Sequence, residues 1–258
     1  MISNPSQTAL ITRVSLRLRN NVIRSIVATI IFLVVTIVLS IISIPAALID
    51  RSGSAYLWIT RIWAKIFLLI YGVKQTVFGL ENIEKGEHYV FVANHSSYTD
   101  VPIAIAAIPM GIRLIFRNTL TRIPIWGWAL LVSPYIIINR NNAIKARKSL
   151  THAAKVIRGG GSVLLFPEGT RSHTSELQPF KRGAFHMAYE SGAKVIPVAI
   201  RGAYEFLPRS KTLPSSNKRI FVSIGAPLGV SLQLENDRER ETDLMRRAEE
   251  SIRKMLSS

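Results

Sequence analysis

A histidine and an aspartate five residues apart, His95 and Asp100, have the types and spacing for acid–base chemistry. On a continuous helix they would lie about 140° apart, because each residue turns the helix by about 100°. If the chain instead leaves a strand, turns through Ser96 and Ser97 and enters a helix near Thr99, the carboxylate can fold back to the imidazole. It would then fix the ring tautomer and leave the other nitrogen free to accept a proton. The alternative interpretation is a structural histidine, with the aspartate facing the positive end of a helix dipole.

A second stretch, from Phe166 to Ser172, has the composition of an anion-binding turn. It reads Phe-Pro-Glu-Gly-Thr-Arg-Ser and follows an apolar run. Proline ends ladder pairing, and Gly169 permits a tight turn with exposed backbone N–H groups. Arg171 beside that turn can bind a phosphate through two parallel hydrogen bonds. The same residues also suit an ordinary turn without a ligand.

A third stretch, from Arg117 to Gly127, begins with a basic residue and continues as a strongly apolar segment. It can bring Arg117 near an anion while its apolar residues face lipid, although core packing of its tryptophans explains the pattern equally well. These apolar residues are Ile125, Trp126 and Trp128. Further basic residues that follow an apolar run or a Pro-Phe turn can add positive charge at the same place: Arg140, Lys181 and Arg182.

The elements that must position these residues are short apolar runs that alternate with polar helical patterns after residue 73. The predicted strands are Gln75 to Phe78, Tyr89 to Ala93, Arg113 to Phe116, Tyr135 to Ile138, Ser162 to Phe166, Val195 to Ile200 and Ile220 to Ile224. The predicted helices include Ala143 to Ile157, Gly183 to Ser191 and Arg238 to Met255. This alternation predicts an α/β domain with a mainly parallel sheet flanked by helices. Ligands bind at the carboxyl ends of such strands, where the histidine and arginine stretches begin.

The N-terminal part of the chain has the pattern of a membrane anchor. Residues 1–24 form a basic amphipathic lead-in, and residues 25–49 contain no charged residue. As a helix, those 25 residues would be about 37 Å long, more than the roughly 30 Å hydrocarbon core of a bilayer. Residues 55–73 are apolar but contain Arg61 and Lys65, which predicts an interfacial helix or the second arm of a shallow hairpin. Its aromatic residues suit a membrane interface: Tyr56, Trp58, Trp63 and Tyr71.

These patterns predict two parts: membrane-associated helices in residues 1–73 and an α/β domain in residues 74–258. Basic residues lie on both sides of the apolar segment, so a hairpin that leaves both ends in the cytoplasm fits the positive-inside rule best. The expected location is the cytoplasmic (inner) membrane, with the α/β domain facing the cytoplasm.

The composition limits the classes of function. The 258 residues carry a formal net charge of +17 and a pI near 10.7, which requires an anionic partner such as acidic lipid, a phosphorylated substrate or nucleic acid. The chain has no cysteine, which excludes disulfides, Cys-ligated zinc and a cysteine nucleophile. The remaining histidines have no spacing that suggests a metal site: His88, His152, His173 and His186.

Four stretches in order resemble the motifs of the glycerophospholipid acyltransferases, most closely those of the 1-acylglycerol-3-phosphate acyltransferases. They are the His-x4-Asp of His95 and Asp100, the segment from Arg117 to Gly127, the Phe166 to Ser172 turn, and Val-Ile-Pro-Val around Pro197. The resemblance covers residues 74 to 203. The basic residue that opens the second motif is often Lys in this family, and Arg117 keeps its charge.

The resemblance implies transfer of a fatty acyl group from acyl-CoA or acyl carrier protein to the sn-2 hydroxyl of 1-acylglycerol-3-phosphate, which gives phosphatidic acid. It implies that His95 is the general base and that Asp100 orients it and stabilises its protonated form. The implied acceptor-phosphate site is Glu168, Gly169, Thr170 and Arg171 with Arg117, and the supporting residues are Asn94, Arg140, Lys181 and Pro197. No metal and no cofactor besides the acyl donor is expected.

Several alternatives stay open from the sequence. Related acyltransferases act on other lysolipids, such as lyso-ornithine lipid, or on glycolipids. A non-catalytic basic membrane scaffold would also explain the apolar N-terminus and the charge, but it would have no use for His95 and Asp100 beside an anion turn. A nucleic-acid-binding protein would explain the charge but would not need the apolar segment, and the sequence has no nucleic-acid-binding signature. The expected partners are therefore a lysophospholipid, the acyl donor and an anionic membrane surface, without nucleic acid.

Overall fold

The computed structural model of the protein describes residues 5–139, 142–215, 219–231, 233–234 and 236–258. The helices are α1 (Pro5–Ile49), α2 (Ser54–Tyr71), α3 (Asp100–Ala107), α4 (Trp126–Val132), α5 (Ala143–Arg158), α6 (Gly183–Ser191), α7 (Ala203–Phe206) and α8 (Asp237–Ser257). The strands are β1 (Lys74–Phe78), β2 (Tyr89–Ala93), β3 (Ile112–Arg117), β4 (Ile136–Ile138), β5 (Ser162–Leu165), β6 (Lys194–Arg201) and β7 (Arg219–Ile224).

The strands form one sheet in the order β1-β7-β6-β2-β5-β3-β4. Every neighbouring pair in this sheet is parallel except β6 with β7. The predicted α/β fold with a mainly parallel sheet is therefore confirmed, and each predicted strand is present with its ends shifted by no more than one residue. Because β2, β5, β3 and β4 run in the same direction, their carboxyl ends lie along one edge of the sheet.

Alternate side chains of the central strands enter two separate cores, as the two-residue period of a strand requires. Phe91, Leu164 and Ile196 face the side covered by α2 and α3. Val90, Val163 and Val195 face the opposite side, covered by α5, α6 and α8. The central strands are buried on both faces, which explains why their sequences are continuous apolar runs.

Helices α1 and α2 form a hairpin that packs against α3. The described part of α1 contains a 30-residue helical segment, Asn20–Ile49, whose most apolar window has a mean hydropathy of 2.9 and is only 11% buried. Most of its large apolar side chains are exposed, for example Ile30 and Leu33, each 56%. A long apolar helix with so little protein cover is suited to lipid, and it supports membrane association. Pro45 lies inside α1, which continues to Ile49.

The aromatic residues of α2 do not all lie at a membrane interface as predicted. Tyr56 and Tyr71 are buried, at 5% and 7% exposure, and Trp63 packs on Phe32 of α1 and donates a hydrogen bond to the Thr36 hydroxyl at 3.0 Å. Their helical periodicity reflects contacts with α1 and the core. A sequence pattern alone does not distinguish such contacts from contacts with lipid. Trp58 is 66% exposed and keeps the predicted surface position.

The sequence left open whether the tryptophans of α4 pack in the core or face lipid, and the structure places them differently. Trp126 is half-buried and packs in a cluster with Tyr56, Phe116 and Tyr135, whereas Trp128 is 56% exposed. Helix α4 also contacts α1. The two N-terminal helices therefore share packed surfaces with the α/β fold, and the division between residues 73 and 74 stays a prediction.

Candidate active site

His95 and Asp100 meet where β2 gives way to α3. His95 follows the end of β2, and Asp100 is the first residue of α3, so the turn between them brings the imidazole Nδ1 to 2.9 Å from the Asp100 Oδ2. The backbone N–H groups of Ser96 and Ser97 donate to the same oxygen at 2.7 and 2.8 Å. Asp100 is fully buried. The turn therefore positions the carboxylate through two backbone hydrogen bonds and presents it to one ring nitrogen.

The imidazole of His95 is held from a second direction by Phe166. The two rings stack with centroids 4.1 Å apart and an interplanar angle of 20°, and the histidine side chain remains 18% exposed. With Nδ1 directed at Asp100, the tautomer that donates to the carboxylate leaves Nε2 with a free lone pair. Such a fixed, partly exposed imidazole can take a proton from a substrate hydroxyl.

Glu168 joins the histidine turn to the arginine turn. Its Oε1 accepts a hydrogen bond from the His95 backbone N–H, and its Oε2 accepts one from the Gln178 N–H at 3.1 Å. The two turns are tied again where the Ser172 N–H donates to the His95 carbonyl at 2.7 Å. Both carboxylate oxygens thus serve backbone donors, which makes Glu168 a positioning residue for the histidine rather than a ligand of a phosphate.

The buried carboxyl of Glu168 titrates abnormally. Glu168 is 3% exposed, and burial raises its pKa from 4.5 to about 7, against the opposing effect of the two backbone hydrogen bonds. Burial has this effect because it penalises the charged form of an acid. The Glu168 carboxyl therefore holds its proton to a higher pH than an exposed glutamate does.

Arg171 lies across the histidine turn. Its guanidinium carbon is 3.2 Å from the centroid of the Tyr98 ring, and its Nη1 is buried with no hydrogen-bond partner in the described part of the chain. Arg209 donates from its own Nη1 to the Arg171 carbonyl at 2.8 Å and lies 3.4 Å from the Thr170 hydroxyl. A stacked guanidinium keeps its N–H groups in the plane of the group, where they can bind an anion.

Gly169 has a backbone conformation that only glycine adopts easily, with φ of +77°. A Cβ at this position would also lie 2.8 Å from the Nζ of Lys181, whose side chain runs beside the turn. The Lys181 N–H donates to the Pro167 carbonyl at 2.8 Å, which closes the segment after the turn. The positively charged side chains of Arg171, Arg209 and Lys181 therefore lie near one another at this turn.

The predicted supporting residues Asn94 and Pro197 form hydrogen bonds within the sheet. The Asn94 side chain donates to the Ile200 carbonyl at 2.9 Å and accepts from the Ile200 N–H at 2.7 Å, so it extends the β2–β6 ladder by one pair. Pro197 is buried inside β6, and its carbonyl accepts from the Gly225 N–H at 2.8 Å. Asn94 fixes the start of the histidine turn, whereas Pro197 belongs to the packed strand.

Two further basic residues predicted for this site are Arg117 and Arg140. Arg117 is exposed at the carboxyl end of β3, on the same edge as His95 but two strands from β2, which corresponds to about 10 Å. Arg140 lies outside the described residues. No group of three or more His, Asp or Glu side chains within the described ranges is arranged to hold a metal ion.

An open apolar groove lies between the N-terminal helices and the α/β fold. It lies between α1, α2, α3, α4 and the end of the sheet, and its cavity volume is about 70 Å³. Val101, the residue after Asp100, is part of its wall, as are Ile105 and Leu114. The groove is lined mainly by apolar side chains, which suit a hydrocarbon chain.

Two residues of this site were missed from the sequence. Tyr98 lies within the histidine stretch, and an exposed aromatic ring in a polar turn was the signal that could have indicated it. Arg209 lies in the segment after α7, where nothing in the local sequence distinguishes it from a solvated arginine. Its contact with the Arg171 carbonyl is created only by the tertiary fold.

The chain is similar to known acyltransferases. A family model described as Acyltransferase matches residues 74–201. The chain is similar to the 1-acyl-sn-glycerol-3-phosphate acyltransferase of Borreliella burgdorferi, with 29% identity over 72% of this chain and 74% of that protein. It is also similar to the protein of the same name from Saccharomyces cerevisiae, with 33% identity over 61% of this chain but only 53% of that protein.

A solved structure shows the same fold. The crystal structure of the 1-acyl-sn-glycerophosphate (LPA) acyltransferase PlsC from Thermotoga maritima matches 93% of this chain and 97% of that chain, with a TM-score of 0.77 and 21% identity. The match includes the N-terminal helices as well as the sheet, because it covers nearly the whole of both chains.

Proposed function

Because residues 74–201 place this chain in the acyltransferase family, we propose that it transfers a fatty acyl group to the sn-2 hydroxyl of 1-acylglycerol-3-phosphate and produces phosphatidic acid. The observation that carries the proposal is the His95–Asp100 pair, tied by Glu168 and Ser172 to a turn that presents Arg171. This arrangement provides a base for a hydroxyl and, on the adjoining turn, a cation for a phosphate. The names of the similar proteins favour the same acceptor.

The reaction requires two proton transfers, one to His95 and one from it. The Nε2 of His95 takes the proton of the sn-2 hydroxyl as its oxygen attacks the thioester carbonyl, and Asp100 stabilises the imidazolium that forms. The tetrahedral intermediate then breaks its carbon–sulfur bond, and the departing thiolate receives the proton from His95. No covalent enzyme intermediate is needed, because the thioester is already an activated acyl group.

The acceptor phosphate is assigned to Gly169, Thr170 and Arg171. The unpaired Nη1 of Arg171 supports this assignment, since a buried donor without a partner is costly unless a ligand satisfies it. Lys181 and Arg117 contribute positive charge from either side of the turn. The function of Glu168 in this site is to hold the histidine and arginine turns together.

The apolar groove is assigned to an acyl chain. Its wall begins at Val101, next to Asp100, and continues along α1 and α2. A chain in this groove would keep its carboxyl end near His95 and its tail among the membrane-associated helices. Each methylene buried there contributes about 0.8 kcal/mol, so the length of the groove would select the length of the chain.

We place the enzyme at the cytoplasmic membrane, with the α/β domain on the cytoplasmic side. The exposed apolar surface of α1 supports attachment, and the net charge of +17 supports contact with anionic lipid. A protease added to sealed inverted vesicles should then cleave the α/β domain. Complete protection of that domain would contradict the orientation.

The test is thioester-dependent acylation by the purified protein, with 1-acylglycerol-3-phosphate, a lyso-ornithine lipid and a lysoglycolipid as separate acceptors. His95→Ala should lower turnover by about 10²–10⁴-fold, the usual contribution of a general base, and should stay in the membrane fraction. The matched control, His88→Ala, alters an exposed histidine and should leave turnover unchanged. Near-normal turnover in His95→Ala would contradict the mechanism, and faster acylation of another lysolipid would reassign the acceptor.

Arg171→Ala tests the phosphate site separately. It should raise the KM for the phosphorylated acceptor about tenfold or more, because a hydrogen-bonded charge contributes about 1.5–3 kcal/mol. Arg122→Ala, at an exposed arginine on the turn after β3, is the control. An unchanged KM in Arg171→Ala would remove Arg171 from the site.

A further inference from the structure

Helix α5 carries a row of basic side chains without acidic neighbours on the same helix. Its sequence from Ala143 to Arg158 contains five Lys and Arg residues and no Asp or Glu. Lys145, Lys148 and Lys155 are exposed and fall within about 80° of one another around the helix, given 100° per residue. Within the described parts of the chain, none of these three lysines forms an ion pair, so their charges face solvent together.

Helix α8, which packs on the same side of the sheet, has a different arrangement of charged residues. Helix α8 has as many acidic as basic residues, and several of its arginines form ion pairs along the helix. Arg246 contacts Asp243 and Glu250, and Arg253 contacts Glu249. The charges of α8 are therefore largely neutralised within the helix. The uncompensated row on α5 departs from that pattern.

The position of α5 separates its basic row from the membrane helices. Helix α5 packs on the side of the sheet that contains Val163, whereas α2 packs on the side that contains Leu164. The sheet therefore lies between the basic row and the α1–α2 hairpin. An anionic partner of α5 approaches from the side away from the membrane helices, which favours a soluble partner over the lipid surface.

The same helix begins at the edge of the sheet that carries the active site. Strand β4 ends at Ile138 on that edge, and α5 starts at Ala143. Three strand spacings, about 14 Å, separate β4 from the strand that leads to His95. Ile144 at this end of α5 is 71% exposed beside Lys145 and Lys148. The row thus begins near the place where the thioester must be delivered.

We propose that the basic face of α5, formed by Ile144, Lys145, Lys148 and Lys155, docks an acidic carrier protein that delivers the acyl group as a thioester. This inference rests on the proposed function, because the docked partner is its acyl donor. From Lys145 to Lys155 the row is about 15 Å long, which suits an acidic helix laid along it better than a single phosphate group. Complementary charge at such a surface accelerates association and fixes the orientation of the partner.

The experiment compares two donors, palmitoyl-CoA and palmitoyl acyl carrier protein, with 1-acylglycerol-3-phosphate as acceptor. The test variant is Lys145→Glu/Lys148→Glu/Lys155→Glu in the full chain. The matched control is Lys194→Glu/Arg238→Glu/Lys254→Glu, which makes the same charge change at exposed positions outside α5. Circular dichroism and recovery in the membrane fraction verify that both variants are folded and attached.

We expect the test variant to raise the KM for the carrier-bound donor about tenfold or more, with kcat and the KM for palmitoyl-CoA unchanged. The control should change neither. Salt should raise the wild-type KM for the carrier steeply and that of the test variant little, because screening acts on exposed charges. An Ile144→Ser variant should also raise the KM for the carrier alone, since it removes apolar contact without altering charge.

Three outcomes would overturn the inference while the proposed function stands. They are an unchanged KM for the carrier in the test variant, an equal loss with both donors, and a wild-type enzyme that uses only palmitoyl-CoA. Failure of the proposed function gives a different result, because then the wild type would acylate 1-acylglycerol-3-phosphate with neither donor, or His95→Ala would remain active with both.

Discussion

The guanidinium carbon of Arg171 lies 3.2 Å from the centre of the Tyr98 ring. This contact links the turn after β5 to the turn after β2, in addition to the backbone hydrogen bonds that Glu168 and His95 provide. The ring supports one face of the guanidinium and leaves the N–H groups in its plane available. Arg171, the cation that we propose for the acceptor phosphate, is therefore positioned by the same turn that positions His95, the proposed base.

Replacement of Tyr98 by alanine should weaken the binding of phosphorylated acceptors. Loss of a partly desolvated cation–π contact costs about 1–2 kcal/mol, which corresponds to roughly a 5- to 30-fold rise in the KM for the acceptor. The kcat should change little, because His95 and Asp100 keep their contact. Steady-state kinetics with a varied acceptor concentration measure both constants. Tyr98→Phe keeps the ring and should behave like the wild type. An equal effect of both substitutions would assign the role to the Tyr98 hydroxyl instead.

Asp100→Asn should separate the charge of this residue from its hydrogen bonds. The amide oxygen of asparagine can still accept from the Ser96 and Ser97 N–H groups, so the turn keeps its shape. The negative charge that stabilises the His95 imidazolium is lost, and we expect kcat to fall about 10²-fold or more with the KM for both substrates nearly unchanged. Steady-state kinetics test this, and thermal unfolding verifies the fold. A variant with normal kcat would show that Asp100 has only a structural role.

The Glu168 carboxyl should make stability depend on pH. Burial raises its pKa to about 7, above the value of 4.5 expected for an unfolded chain. Between these values the folded protein binds more protons than the unfolded chain, so the free energy of unfolding falls as pH rises through that window. Glu168→Gln cannot titrate and should lack this part of the decline. Urea unfolding at about pH 5 and about pH 8 measures the difference.

The control for that measurement is Glu176→Gln, an exposed carboxylate in the segment that follows the same turn. It should keep the wild-type dependence on pH. Glu168→Gln should in addition gain stability relative to the wild type as pH rises from about 5 to about 8, because only the wild type carries the cost of a buried charge at the higher pH. A wild-type pH profile in Glu168→Gln would show that another group causes it.

Ser43→Phe should change the acyl chain preference. Ser43 is 4% exposed and lines the apolar groove from α1, so a phenyl ring there would occupy space that a hydrocarbon chain needs. We expect the preferred chain to become shorter, with kcat/KM falling about fourfold for each methylene that no longer fits. A series of saturated acyl thioesters measures the shift. Ile42→Phe, at a neighbouring position 49% exposed, should keep the wild-type preference. The same preference in Ser43→Phe and wild type would remove the groove from acyl binding.

The sequence by itself determined the strands, the strand-to-helix turn at His95 and the long apolar helix α1. The environment of an element determines which residue types it contains. Strand β2 is buried on both faces and is apolar throughout, and α1 has no charged residue from Ser25 to Ile49. The pairing of His95 with Asp100 was also predictable, because only a turn between a strand and a helix lets residues five apart meet.

Only the tertiary structure decided which distant groups complete the site. The Glu168 carboxylate reaches the His95 N–H because β5 is placed beside β2, and Arg209 reaches the Arg171 carbonyl from a loop 38 residues away. The burial of Tyr56 and Tyr71 depends in the same way on how α2 meets α1 and the sheet. Periodicity records whether a side chain is buried but not what it contacts, because hydrogen bonds and ring contacts depend on strand order and helix packing across the fold.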